Sequence, residues 1–180
     1  FVGASGHLLD EIWEGAGIDR KRDVYATNVI SYRPLNNEIG SIPAEHLAEG
    51  AERLKEKLCH FLNPKAVIVP TGNVALRAIL GAGYSRVTKW RGSVLEYAGR
   101  WCIPTLHPAA CLRQPILTKT LAYDWSKIRR VVDHGYTKPQ RELVVASSRA
   151  DLEKAYEFLQ PFASDPDCTL TFDIECTRDT

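Results

Sequence analysis

The sequence predicts an α/β fold from two adjoining patterns. Residues 66–70 form a short apolar run rich in β-branched residues, and Gly72 follows it closely. Apolar residues at helical spacing come next, over residues 75–80. A strand, a glycine turn and a helix in this order are typical of the βα unit of a parallel sheet. Gly72 also fits a nucleotide-binding α/β domain, but close packing of helix on strand explains a single glycine as well.

The composition is that of an ordinary globular protein. The 180 residues are 44% hydrophobic and 25% charged, with a net charge of +1. A net charge this small does not attract nucleic acid through the electrostatic field of the whole molecule. Contacts with DNA must therefore come from local clusters of basic residues. No apolar run is long enough to span a membrane. The five cysteines are odd in number and lack a CxxC pair, so we expect a reduced, cytoplasmic protein.

Periodicity predicts the other elements. A small-residue loop at residues 1–6 leads into a helix over residues 8–16, and two further helices are expected at residues 43–62 and 118–132. β-Branched and aromatic residues predict a buried strand at residues 24–32 and a hairpin at 93–97 and 101–104. Asn28 is unusual within such a strand, because a buried amide needs a hydrogen-bond partner from the protein or from a ligand.

Residues 104–113 have the composition of a catalytic loop. Pro108 excludes the helical backbone region for His107, so we expect the imidazole to lie on a loop, where it can donate a hydrogen bond to a developing anion. The structural alternative is a histidine bonded to a nearby carbonyl group. Cys102, His107 and Cys111 also have zinc-ligand chemistry, although hairpin cysteines are more often small buried hydrophobic residues. Lys127, Arg129 and Arg130 suit either DNA phosphates or the negative end of a helix dipole.

Several motifs together resemble the uracil-DNA glycosylase superfamily, closest to its families 4 and 5. The resemblance covers residues 1–132 and implies a three-layer α/β/α sandwich with a central, mostly parallel sheet. The motifs are FVG at positions 1–3, TNV at 27–29 with RP at 33–34, the strand and helix at 64–80, RG at 91–92 and TLHP at 105–108.

The resemblance also implies roles for individual residues. Phe1 would stack on an extruded uracil, Asn28 would read the edge of the pyrimidine, and His107 would support the departing anion. A base inside a duplex cannot be reached, so such an enzyme must flip it out. Leu112 is implied as a wedge in the duplex. Contacts with DNA are expected from Arg113, Arg91, Lys127 and Arg130.

Many family 4 members bind an iron–sulfur cluster through four cysteines. Here Tyr32 and the segment 49–51 stand where two of these cysteines are expected, and Cys59 does not replace them by its spacing. We therefore predict that the glycosylase-like domain has no iron–sulfur cluster and no other cofactor. The water-positioning motif of the superfamily would precede Phe1.

The remainder predicts a second domain. Residues 133–141 are interpreted as a linker, residues 143–146 as a strand, and Ser148 with Asp151 as a capping box that opens a helix. Asp173 and Glu175 would lie on one side of a final strand, which suits a shared Mg or Mn ion, although an edge strand with two solvated acids has the same pattern. Residues 142–180 resemble the opening of the 3′-5′ exonuclease domain of family A DNA polymerases.

These observations predict removal of uracil from single- or double-stranded DNA by a monomeric part of a larger, phage-like polymerase chain. Exonuclease and polymerase activities are expected only in the full-length polypeptide, in the cytoplasm of a bacterium or a phage-infected host. The alternative is a glycosylase-like module that binds DNA or senses template uracil without cutting the bond.

Overall fold

The computed structural model describes residues 3–34, 38–61, 63, 65–140 and 147–166. The chain divides into two units, Phe1–Thr137 and Lys138–Thr180. Within its described residues, the first unit has seven α-helices, a 3-10 helix (Ile39–Ser41) and one two-stranded sheet. The helices are α1 (Gly3–Gly15), α2 (Arg20–Asp23), α3 (Ala44–Phe61), α4 (Asn73–Leu80), α5 (Val87–Trp90), α6 (Pro108–Arg113) and α7 (Leu117–His134), and the strands are β1 (Leu95–Tyr97) and β2 (Arg100–Cys102).

The predicted glycine turn and helix are confirmed, whereas residues 66–70 form an isolated parallel bridge at Ile68 instead of a regular strand. Parallel bridges join Ile68 to Cys102 and Thr71 to Thr105. Two backbone hydrogen bonds support them, from the Ile68 N–H to the Trp101 carbonyl at 2.8 Å and from the Thr105 N–H to the Pro70 carbonyl at 3.0 Å. Helix α4 begins directly after Gly72, whose φ of 90° favours glycine.

The predicted hairpin is also confirmed, with shorter strands than expected. β1 pairs antiparallel with β2, and Leu95 lies opposite Cys102. Ala98 and Gly99 form the turn with φ values of 49° and 72°. Positive φ at both central residues gives the turn a twist that matches that of the two strands. After the turn, β2 runs directly into the segment that carries His107.

The predicted strand at residues 24–32 is wrong. Residues 24–28 have no regular secondary structure, and bends follow at residues 29–32. A strand needs a neighbour to complete its ladder, and β-propensity reports only how well side chains fit such a surface. Among the described residues, the sheet structure is limited to the hairpin and the two parallel bridges, which is less than the predicted central sheet. The expected loop at residues 1–6 is wrong from Gly3 onward, because α1 begins there.

Two apolar clusters form the core of the first unit. In the first, α1 packs against α7, and the rings of Trp13 and Trp125 meet edge to face with centroids 5.3 Å apart. In the second, α3 and α4 pack around Ile68, Cys102 and Val29. The two segments joined by the parallel bridges, residues 67–71 and 101–105, contribute side chains to both clusters, so this parallel pair is packed from two sides.

The second unit contains α8 (Arg149–Leu159) and a 3-10 helix (Gln160–Ser164) among its described residues. The predicted capping box is confirmed: the Ser148 hydroxyl accepts from the Asp151 N–H, and the Asp151 carboxylate accepts from the Ser148 N–H. The predicted strands at 143–146 and 169–177 lie outside the described residues. The division at residues 133–141 stays a prediction.

Candidate active site

His107 lies at the carboxyl end of the parallel pair and caps the N-terminus of α6. Its φ of −76° and ψ of 134° are extended, as Pro108 predicts. The side chain accepts a hydrogen bond at Nδ1 from the Ala109 N–H, at 3.2 Å. The prediction of a loop through residue 113 is wrong, because residues 108–113 form α6. Proline suits the first position of a helix, where its missing N–H has no partner to lose.

The cap determines which nitrogen of His107 is a donor. Since Nδ1 accepts from Ala109, the proton of the neutral ring lies on Nε2. Desolvation of the ring and the positive charge of Arg113 lower the pKa of His107, so the neutral form is favoured near neutral pH. His107 therefore has the chemistry of a neutral hydrogen-bond donor at Nε2.

Gly72 lies against His107. A β-carbon at position 72 would come within 3.2 Å of the His107 Cβ, and the Gly72 N–H donates to the Thr105 carbonyl at 2.9 Å. The left-handed backbone and the close approach both require glycine here. These contacts favour the packing interpretation of Gly72 over a nucleotide-binding loop.

A buried ionic network lies next to this segment. Asp124 of α7 is fully buried and accepts two hydrogen bonds from the Arg91 guanidinium, one of them from Nε at 3.0 Å. It also accepts a bond from the Thr105 hydroxyl at 2.8 Å. Burial raises the pKa of Asp124, while the bonds from Thr105 and Arg91 act in the opposite direction.

Sequence reasoning missed Asp124, although the sequence contains a signal for it. The residue lies on the apolar stripe of α7 among Leu121, Trp125 and Ile128, which are all buried. A charged residue on an inward stripe needs a buried partner. Arg91 is that partner, and its predicted contact with DNA stays a prediction.

The predicted basic DNA-binding residues of α7 differ in their surroundings. Lys127 donates from Nζ to the Gly92 carbonyl at 2.7 Å. Arg129 pairs with Asp133 at 2.8 Å. Arg130 is exposed and makes no hydrogen bond or ion pair among the described residues. Of the three side chains, Arg130 is the one most available to a phosphate.

The predicted wedge lies on the surface of α6. Leu112 is 47% exposed, and Arg113 beside it is exposed. A leucine this accessible buries little area in the protein and is available for contact with a ligand. Phe1, predicted to stack on the base, lies outside the described residues.

Asn28 lies in a different environment from His107. It is exposed, and its amide makes no hydrogen bond within the described part of the chain. It lines an open cleft of about 410 Å³, and His107 is not among the lining residues. The walls of the cleft are Tyr25, Ala26, Thr27, Asn28, Ile30, Ser31, Arg53 and Lys57. Asn28 is therefore accessible to a ligand, and its orientation is not fixed by a described side chain.

The described residues do not fit an iron–sulfur cluster, which needs cysteine thiolates as ligands. Burial raises the pKa of the Cys102 thiol to about 12 and also raises that of Cys111, so both behave as small buried hydrophobic residues. Tyr32, at a position where the resemblance expects a cysteine, bonds through its hydroxyl to His46 Nδ1 at 2.7 Å.

Among the described residues, no group of three or more His, Cys, Asp or Glu side chains could hold a metal ion. The zinc alternative for Cys102, His107 and Cys111 therefore has no support from the geometry. The absence of an iron–sulfur cluster stays a prediction. The predicted metal-binding residues Asp173 and Glu175 lie outside the described residues. In the part of the chain that is described, no helix is both long and apolar enough to cross a membrane.

The chain is similar to uracil-DNA glycosylases and to a phage DNA polymerase. The chain is 37% identical over 139 residues to a type-4 uracil-DNA glycosylase of Sulfurisphaera tokodaii, covering 73% of this chain and 61% of the relative. It is 39% identical over 114 residues to a type-4 uracil-DNA glycosylase of Thermotoga maritima, covering 63% and 57%. A DNA polymerase of Bacillus phage SP01 is 30% identical over 114 residues, covering 63% of this chain and 12% of the polymerase.

The chain thus spans about three fifths of the two glycosylase relatives. Residues 1–129 match the family described as the uracil DNA glycosylase superfamily. This range includes Asn28, His107 and the Asp124 network. This chain belongs to the uracil-DNA glycosylase superfamily.

Proposed function

We propose that the chain hydrolyses the N-glycosidic bond of uracil in DNA. The observation that carries the proposal is the Nε2 donor of His107, fixed by the Ala109 N–H at the start of α6 in a chain of this superfamily. The type-4 uracil-DNA glycosylases among its relatives support the same activity.

In the proposed reaction, the uracil nucleotide is flipped out of the duplex. The bond between C1′ of the sugar and N1 of the base breaks, and its electron pair leaves with the uracil. Nε2–H of His107 donates a hydrogen bond to the resulting anion. Water adds to C1′ and leaves its hydroxyl group there, and the proton that it loses balances the negative charge of the uracil anion. A single preorganised donor of this kind contributes roughly 3 kcal/mol in the transition state. This contribution favours the transition state because the charge develops only as the bond breaks.

Recognition of uracil is proposed to involve Asn28 and Phe1. The Asn28 amide can donate to a uracil carbonyl and accept from the ring N–H, while Phe1 supplies an aromatic face for stacking. Leu112 would fill the space that the flipped base leaves. Arg113 and Arg130, with Arg91 and Lys127 nearer the protein core, would contact the DNA backbone.

We further propose that the chain is part of a DNA polymerase polypeptide that carries a 3′-5′ exonuclease, within a bacterium or a phage-infected host. The phage SP01 DNA polymerase supports this, because the match covers a small part of that protein. In this proposal Asp173 and Glu175 belong to the exonuclease and bind Mg or Mn.

The test is release of uracil from a labelled oligonucleotide, measured for the full chain and for His107→Ala, with His134→Ala as the matched control. We expect the His107→Ala rate to fall about 10²- to 10³-fold with nearly unchanged DNA affinity, since one donor to the anion is lost. His134→Ala should keep the wild-type rate. Absence of release by the wild type, with uracil-dependent binding retained, would instead establish a module that senses uracil without cutting.

A further inference from the structure

Asp124 carries a charge in a fully buried position of α7, and the proposed chemistry does not use it directly. Burying a carboxylate is costly unless it is paired and fully hydrogen-bonded. Arg91 supplies the charge and two hydrogen bonds, and Thr105 supplies a third. Since well-packed apolar residues can often replace such a pair without loss of stability, the network calls for an explanation other than stability alone.

The network joins three segments that are distant in the sequence. Asp124 belongs to α7, Thr105 to the end of the parallel pair, and Arg91 to the turn after α5. Gly92 tightens this connection, because its N–H donates to the Pro104 carbonyl at 2.8 Å and a β-carbon there would lie 3.1 Å from Asp124 Oδ1. The network therefore fixes Pro104 and Thr105 from one side.

The backbone of Thr105 is fixed from the other side as well. Its N–H donates to the Pro70 carbonyl, and its own carbonyl accepts from the Gly72 N–H at 2.9 Å. Gly72 in turn packs on the His107 Cβ. His107 follows Thr105 by two residues, and Pro108 restricts its backbone. Little conformational freedom remains between the Thr105 hydroxyl and the imidazole.

We propose that Asp124 and Thr105 are positioning residues, which act on the reaction by fixing His107 at the start of α6. The proposal rests on the proposed glycosylase function. A donor that stabilises a developing charge must be in place before the reaction, and displacement of a reacting group by about 1 Å can cost about 10²-fold in rate. The fully buried network supplies a rigid reference for that position.

A kinetic cycle tests whether Thr105 acts through His107. Thr105→Val removes the hydroxyl but keeps the shape of the side chain, and Thr105→Ser restores the hydroxyl. We expect Thr105→Val to lower the single-turnover rate of uracil release about 10-fold or more, with DNA affinity within about twofold of wild type. Thr105→Ser should recover most of the rate. In the His107→Ala background, Thr105→Val should change the rate by less than about twofold. An equal loss in both backgrounds would overturn the proposal.

A second measurement does not depend on activity. NMR can follow the ring resonances of His107 as the pH is changed. The pH at which these resonances titrate should shift in Asp124→Asn and in Thr105→Val. It should not shift in Asp133→Asn, which removes another ion pair of α7. If the His107 resonances titrate in Asp124→Asn as they do in wild type, the positioning role of Asp124 is contradicted even if uracil is released. Shifted resonances without uracil release would retain the positioning role and reject the glycosylase function.

Discussion

His107 and Asn28, two of the residues proposed to contact the reacting base, are held in contrasting ways. His107 is fixed by its own helix cap, by the backbone of Gly72 and, through Thr105, by a buried carboxylate. Asn28 is exposed on an irregular segment. This segment is anchored after Asn28, where the Arg53 guanidinium donates to the Val29 carbonyl at 3.0 Å and the Tyr32 hydroxyl bonds to His46. The difference indicates that the proposed charge-stabilising group is preorganised, whereas the proposed base-reading amide needs further contacts to fix its orientation.

The largest expected effect concerns the His107 side. Asp124→Ala would leave the Arg91 charge without its carboxylate and the Thr105 hydroxyl without its acceptor. We expect the free energy of unfolding to fall by about 3–5 kcal/mol, the usual cost of breaking a buried ion pair. Urea denaturation followed by tryptophan fluorescence measures it. Asp133→Ala, which breaks the more exposed pair with Arg129, should cost at most about 1 kcal/mol. Similar losses in both variants would mean that the buried network does not anchor the segment that carries His107.

The next effect concerns base recognition at Asn28. Asn28→Asp keeps the shape of the side chain but removes its N–H donor and adds a negative charge opposite a uracil carbonyl. We expect uracil release to slow about 10- to 100-fold, the effect of leaving one such group without a partner. Measuring release from uracil- and cytosine-containing strands checks it, with Asn63→Asp as the control. Unchanged rate and unchanged preference for uracil would remove Asn28 from the site.

Helix α3 contacts the irregular segment around Asn28, and this contact can be tested at Gly50. A β-carbon there would lie 2.2 Å from the Val29 carbonyl oxygen, so Gly50→Ala must displace this segment. We expect a loss of about 1–3 kcal/mol in stability, typical of overpacking. Gly15→Ala at the end of α1 is the matched control, because an added β-carbon meets no atom within 4 Å. Equal thermal unfolding of the two variants would show that α3 does not hold Val29 closely.

The smallest effect is on the pH dependence of stability. Because the pKa of His107 is lowered in the folded protein, the unfolded chain binds the proton more readily. Its contribution to stability is therefore complete above the unfolded pKa of about 6.5 and is lost as the pH falls through the lower folded pKa. Asn accepts from backbone N–H groups at helix caps but does not titrate. We expect His107→Asn to lose less stability than wild type on acidification, measured by urea denaturation across this range. A steeper loss of stability in His107→Asn than in wild type would contradict the lowered pKa of His107.

Local sequence patterns predicted the glycine turn and helix α4 beside His107 and the backbone of His107 itself. Gly72 and the apolar run before it predicted the βα unit, and Pro108 predicted the extended backbone of His107. These features are determined by residues adjacent in the chain. The strand at residues 24–32 was predicted wrongly because strand formation depends on a partner that lies elsewhere.

The contacts that fix the site were harder to predict. The pairing of Asp124 with Arg91 and Thr105 joins residues far apart in the sequence, and only the misplaced charge on the apolar stripe of α7 signals it. The N-cap role of His107 was missed for a different reason. An imidazole is an uncommon cap, so the small residues after Pro108 suggested a loop rather than the start of α6.

The most direct test of the proposed role of His107 compares two leaving groups. Single-turnover release of uracil and of 5-fluorouracil should be measured for wild type and for His107→Ala. Fluorine itself stabilises the departing anion, so 5-fluorouracil depends less on a hydrogen-bond donor. If His107 stabilises that anion, the rate lost in His107→Ala will be clearly larger for uracil than for 5-fluorouracil. An equal loss for both bases would contradict the role of His107 in supporting the charge that leaves with the base.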